Sequence, residues 1–133
     1  MNAQDGRKFV AVDLDGTLAE APYDPKHPEN IGPLGWRGKL LLEGLNREGF
    51  SVMLFTGRIH ETCTNSDAVV KLICDWLETN QIQHLVARIW PHPKPHVSAF
   101  IDDRGIRWRG DVELSILEAR SACRWVDAMK EKA

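Results

Sequence analysis

Apolar positions along this chain switch spacing several times, and the switches mark alternating strands and helices. Phe9 to Val12 is a short apolar, β-branched run that predicts a buried strand over about residues 8–13. Leu41, Leu42 and Leu45 put an apolar stripe on a helix from about Trp36 to Glu48, with Gly49 suited to the left-handed residue beyond its end. Ser51 to Phe55 reads as a second strand. Val69, Leu72, Ile73 and Trp76 then recur at i, i+3, i+4 and i+7, the helical period; Thr64 to Asp67 resembles a capping box at the start, and Asn80 is a stop. Leu85 to Trp90, Val97 to Ile101 and a short Ile106 to Trp108 read as three further strands. Asp111 is placed to cap a final helix that would turn Leu114, Leu117 and Val126 to the sheet. Such alternation predicts a mostly parallel sheet with helices on both faces.

The segments between these elements carry further signals. Residues 1–7 form a polar tail, and Pro91 to Pro95 a rigid, extended connector. Residues 19–35 hold Pro22, Pro25, Pro28 and Pro33; a loop this long in a small domain is usually functional, so a lid is expected, with a plain connector as the alternative. A length of 133 residues suits one domain, and an apolar fraction of 43% argues against disorder. The net charge of −2 gives no basic field that would indicate nucleic acid. Cys63, Cys74 and Cys123 fit no zinc pattern. The polar start lacks a secretory pattern, and no apolar run approaches the roughly 20 residues of a membrane span. A cytoplasmic protein with reduced thiols is the expectation.

Candidate chemistry concentrates where strands end. The first strand runs into Asp13-Leu-Asp15-Gly16-Thr17, the second into Thr56-Gly57-Arg58, and the fourth into Asp102-Asp103, with Lys94 in the connector before it. In a parallel sheet the three strand ends converge on the carboxyl edge, where open α/β sheets bind ligands. Alternation points Asp13 and Asp15 to one side, and two carboxylates so close call for a cation or a shared proton. Three carboxylates and a backbone carbonyl suit magnesium. A hydroxyl, backbone amides near Gly57 and a lysine suit a phosphoryl group, whose transfer needs positioning and charge neutralisation.

Asp13 to Thr17 resembles the first motif of the haloacid dehalogenase superfamily of phosphohydrolases, and the set from Asp13 to Asp103 resembles all four of its motifs in order and spacing. The resemblance implies a Rossmann-like three-layer α/β/α sandwich covering 1–133 as a single hydrolase domain, without a full cap domain. It implies a phosphatase with Asp13 as the nucleophile that forms an aspartyl-phosphate. Asp15 would be the general acid and then the base. Thr56 would hydrogen-bond the phosphoryl oxygens and Lys94 would neutralise them; Gly57 and Arg58 are also expected to bind the phosphate. Asp13, the Asp15 carbonyl and Asp102 would hold Mg2+, with Asp103 acting directly or through water. The missing cap implies an open site, for either a small phosphorylated molecule or an exposed phosphate on a larger substrate, and a neighbouring subunit in a homo-oligomer is a candidate lid.

Duller readings stand beside these. Thr56-Gly57-Arg58 is also a common turn, Asp102-Asp103-Arg104 a solvated strand end, and Lys94 a surface lysine. Solvation is the default for Arg58, Arg104 and Arg107, and packing for the five tryptophans, with Trp36 and Trp108 nearest the presumed mouth. His92 and His96 lie four apart in a proline-stiffened chain, roughly 13 Å from each other, so no zinc pair is expected; His60 and Cys63 read as loop residues. A phosphotransferase would use the same residues. A receiver-type signalling module also clusters aspartates, a threonine and a lysine, but its phosphorylated aspartate ends a middle strand. A non-catalytic phosphate-binding module would be expected to lack Asp13 or Asp15.

Overall fold

The structure, a computed structural model, describes residues 8–59, 66–91 and 106–132, with side chains up to residue 122. Among them are three parallel strands, β1 (Phe9–Val12), β2 (Ser51–Leu54) and β3 (Arg88–Ile89), in the order β1-β2-β3. Three helices accompany them: α1 (Trp36–Arg47), α2 (Ser66–Thr79) and α3 (Val112–Lys132). The chain is therefore an α/β protein in which α1 and α2 are the crossovers that parallel neighbours require. No helix among the described residues is long and apolar enough to cross a membrane.

Register fixes which strand residues face inward. Phe9 pairs with Ser51, Val10 with Val52, Ala11 with Met53 and Val12 with Leu54, and Leu54 pairs onward with Ile89. The period of two then puts Val10, Val12, Val52, Leu54 and Ile89 on one face. These five join one apolar cluster with Leu41, Leu42 and Leu45 of α1, Ile73 and Leu77 of α2, and Val112, Ile116 and Ala119 of α3. Phe9 and Ala11, on the opposite face, are exposed. Helices on both faces were expected; the three described here all share their core with one face.

Helix ends show why the segments stop where they do. At the end of α1 the Phe50 amide bonds the Leu45 carbonyl and the Gly49 amide bonds that of Asn46, both at 3.0 Å, with Gly49 at φ +90°. This is a Schellman closure, and Gly49 is the residue it favours. The end of α2 closes the same way: the Ile82 amide bonds the Leu77 carbonyl and Gln81 that of Glu78, with Gln81 itself at φ 58°. The start of α3 is capped as expected, the Leu114 amide donating to Asp111 Oδ1 at 3.0 Å.

Several boundaries differ from expectation. Strand three shrinks to Arg88–Ile89 because Gln83–Leu85 forms a 3-10 turn. That turn is held by α1, where Asn46 Nδ2 donates to the Leu85 carbonyl at 2.9 Å. Ile106 to Trp108 is not a strand, although Ile106 and Trp108 pack against the core. In α3 the inward stripe is Val112, Ile116 and Ala119, while Leu117 is 51% exposed. The segment 97–101, the cap pattern at Thr64 and the side chain of Val126 lie outside the described residues.

Candidate functional site

The last ladder bond between β1 and β2 runs from the Phe55 amide to the Val12 carbonyl at 3.0 Å, and Asp13 comes next. Leu14 is wholly buried, whereas Asp13 and Asp15 on either side of it are partly exposed. The chain then coils tightly. The Leu14 carbonyl accepts from the amides of Thr17, Leu18 and Ala19 at 3.3, 3.0 and 2.9 Å, and the Gly16 amide donates to Ala19 O at 2.9 Å. Gly16 sits at φ +78°, a conformation that side chains with a Cβ rarely adopt. The Asp13 carboxylate takes a bond from the following amide, Leu14 N to Oδ1 at 2.9 Å.

Directly beside this turn, β2 ends and delivers Thr56, Gly57 and Arg58 to the same edge. Thr56 is buried, and its Oγ1 accepts from the Arg58 amide at 3.1 Å. The hydroxyl keeps its own proton to donate. Gly57 is exposed, and a Cβ built there would meet nothing. Arg58 is buried rather than solvated, its side chain only 3% exposed.

The Arg58 guanidinium grips Asp15 two-handed, Nε to Oδ2 and Nη2 to Oδ1, both at 2.8 Å. It also reaches into the loop between β1 and α1: Nη1 donates to Pro28 O and Nη2 to Asn30 O, again at 2.8 Å. The Tyr23 ring lies 4.5 Å from the guanidinium carbon. A buried charge is tolerated only when paired and hydrogen-bonded, and this one has a carboxylate, two carbonyls and an aromatic face. For Asp15, the cation expected beside the acid pair is a side chain. Residues 19–35 are tied to the rest of the chain by further hydrogen bonds. Glu20 N bonds Pro33 O and Gly35 N bonds Leu18 O at the loop's base, both at 2.9 Å, and Trp76 Nε1 of α2 donates to Gly32 O at 3.0 Å.

The structure thus brings together Asp13, Asp15, Thr56, Gly57 and Arg58. Lys94, Asp102 and Asp103 lie outside the described residues, as do His60, Cys63, His92, His96 and Arg104. Among the described residues no group of three or more His, Cys, Asp or Glu side chains is placed to hold a metal ion. Sequence reasoning missed Tyr23, Pro28 and Asn30 as partners of the site. The available signal was an arginine directly after a strand-end Thr-Gly, together with the chain's single tyrosine in its proline-rich loop. Of the tryptophans, Trp36 is 64% exposed with Arg37 stacked on it, and Trp108 packs against the core.

No family model matches the chain, and no curated protein or solved structure matches it.

Proposed function

We propose that this protein is a magnesium-dependent phosphatase of the haloacid dehalogenase type, working through an aspartyl-phosphate on Asp13. The observation that carries this reading is the meeting, at the carboxyl edge of adjacent parallel strands, of Asp13-Leu-Asp15-Gly16-Thr17 with Thr56-Gly57-Arg58. An acid pair, a buried hydroxyl and an exposed glycine backbone on one edge are suited to holding a phosphate monoester and attacking it.

In this mechanism an Asp13 carboxylate oxygen attacks phosphorus and the ester oxygen departs. Asp15 gives that oxygen a proton, then takes one from the water that cleaves the aspartyl-phosphate, which returns Asp13 and releases inorganic phosphate. Thr56 donates its hydroxyl proton to a phosphoryl oxygen, and Lys94 neutralises the group. The donor set suits Mg2+: the ligands are all oxygen, and with the Asp15 carboxylate engaged by Arg58 its main-chain carbonyl would be the group Asp15 offers. Asp13 and Asp102 would supply carboxylates and Asp103 would act directly or through water; a bound ion would supply positive charge to offset that of the phosphoryl group. The finer architecture, a three-layer sandwich, belongs to the same proposal, as does a phosphorylated small molecule or an exposed phosphate as substrate.

The test is hydrolysis of an aryl phosphate with and without magnesium, by the whole chain and by Asp13→Asn. Turnover that requires the metal and falls about 10⁴-fold or more in the variant is expected. Undiminished activity after complete metal removal would reject the metal role.

A further inference from the structure

A general acid must carry a proton, yet in this structure both oxygens of Asp15 accept from Arg58. A proton on Asp15 removes the negative charge that Arg58 pairs with, so the proton transfers assigned to Asp15 weaken and re-form that pairing. Any such change is felt elsewhere, because the same guanidinium holds the carbonyls of Pro28 and Asn30 and stacks on Tyr23. Nη2 is the shared atom, donating to Asp15 Oδ1 and to Asn30 O. The group is rigid and planar, and its donors are fixed in direction, so it cannot turn toward one partner without turning from another.

We propose that Arg58 is a positioning residue that couples the loop 22–31 to the Asp15 carboxylate, so that the placement of the loop and the orientation of Asp15 change together. The catalytic half of this inference rests on the phosphatase reading, but the coupling itself does not. Arg58 touches neither the nucleophile nor the departing oxygen in this scheme. It acts through Asp15, and the loop takes over part of the work of a cap by controlling the acid.

The loop's own turn supplies the reporters. The Lys26 amide donates to Asp24 Oδ1 at 3.0 Å, His27 to Asp24 O at 3.1 Å and Asn30 to His27 O at 3.0 Å. The Phe50 amide at the end of α1 serves as a distant reference. Amide hydrogen exchange is measured on the whole chain, on Arg58→Lys and on Asp15→Asn. Asp15→Asn leaves every loop residue in place and removes the charge and one of the two acceptor oxygens that Arg58 grips, and roughly tenfold faster exchange at Lys26, His27 and Asn30 is expected, with Phe50 unchanged. Exchange at those three amides equal to that of the unaltered chain would overturn the coupling. Should Arg58→Lys fail to fold, Asp15→Asn decides alone.

The second arm reads Arg58→Lys on alkyl and aryl phosphates. Lysine keeps the charge but loses the fork, so Asp15 is misplaced. An alkoxide needs an acid to leave and a nitrophenolate needs little, so kcat should fall further on the alkyl ester, by about 10-fold more. Equal losses on both esters would overturn the positioning role. If the unaltered chain hydrolyses neither ester, the phosphatase reading fails, while the exchange measurement still decides whether loop and carboxylate are coupled.

Discussion

At the scale of single residues, Asp13 and Asp15 have the same side chain and are asked to do different things. Their surroundings separate them: Asp13 takes a bond from Leu14 N, whereas Asp15 is gripped by Arg58. Asp15→Asn given an activated aryl ester is therefore expected to release a burst of phenolate and then stall, because the first step needs little acid help and the second lacks its base. Mass spectrometry should find the phosphate on the peptide containing Asp13; phosphate on another residue would overturn the assignment. Gly38 poses a purely steric question. A Cβ there would stand 2.9 Å from both Leu18 Cα and Leu18 O, backbone atoms of the segment following the Asp15 turn. Gly38→Ala should cost about 1–3 kcal/mol in a denaturant titration, since backbone yields less easily than a side chain tip. The two aspartates were legible in the sequence because a strand followed by acid-x-acid-Gly-Thr is local. The partnership of Arg58 was not, since its acceptors come from Asp15, Pro28 and Asn30, and no local pattern marks a carbonyl as a ligand.

At the scale of elements, the sequence was most readable where one local signal settled the matter. The leucine stripe and Gly49 define α1 and its end, and Asp111 defines the start of α3. Readability failed where tertiary contacts decided. Leu85 looks like strand, yet it ends a 3-10 turn whose carbonyl is taken by Asn46 of α1. Leu117 fits an apolar stripe, but Val112, Ile116 and Ala119 occupy the face that meets the core. The end of α2 was legible, with Asn80 as the stop directly after Thr79, but the way it closes was not. Its closure repeats that of α1, but with Gln81 at φ 58°, where sequence patterns look for glycine. A residue with a Cβ is strained there, so Gln81→Gly should stabilise the protein by up to about 1 kcal/mol, and Gly49→Ala should destabilise it by about the same amount. Thermal melts of the two variants check the pair; a Gln81→Gly that melts lower would mean the glutamine side chain contributes a contact that outweighs its backbone strain.

At the scale of the whole molecule, what matters is that the proposed site is made from segments far apart in the chain. The described residues unite β1, the loop 22–31 and the end of β2 through Arg58, with Lys94, Asp102 and Asp103 to be added from the segment beyond β3. A metal ion held by Asp13 and Asp102 would bind only when both ends of that arrangement are folded together. Binding of this kind stabilises the native state by mass action, about 2.7 kcal/mol at a ligand concentration 100 times its dissociation constant. For a chain of this length that corresponds to a rise in Tm on the order of 10 °C. Magnesium should thus raise the melting temperature of the unaltered chain. Asp13→Asn and Asp102→Asn should each remove most of the shift, while Asp24→Asn, which alters an exposed carboxylate in the loop, should keep it. The measurement needs no substrate and no turnover. A shift that survives in both Asp13→Asn and Asp102→Asn would place the ion elsewhere. A chain that melts at the same temperature with and without saturating magnesium would remove the metal from the proposal, leaving Thr56 and Lys94 to hold the phosphoryl group that Asp13 attacks.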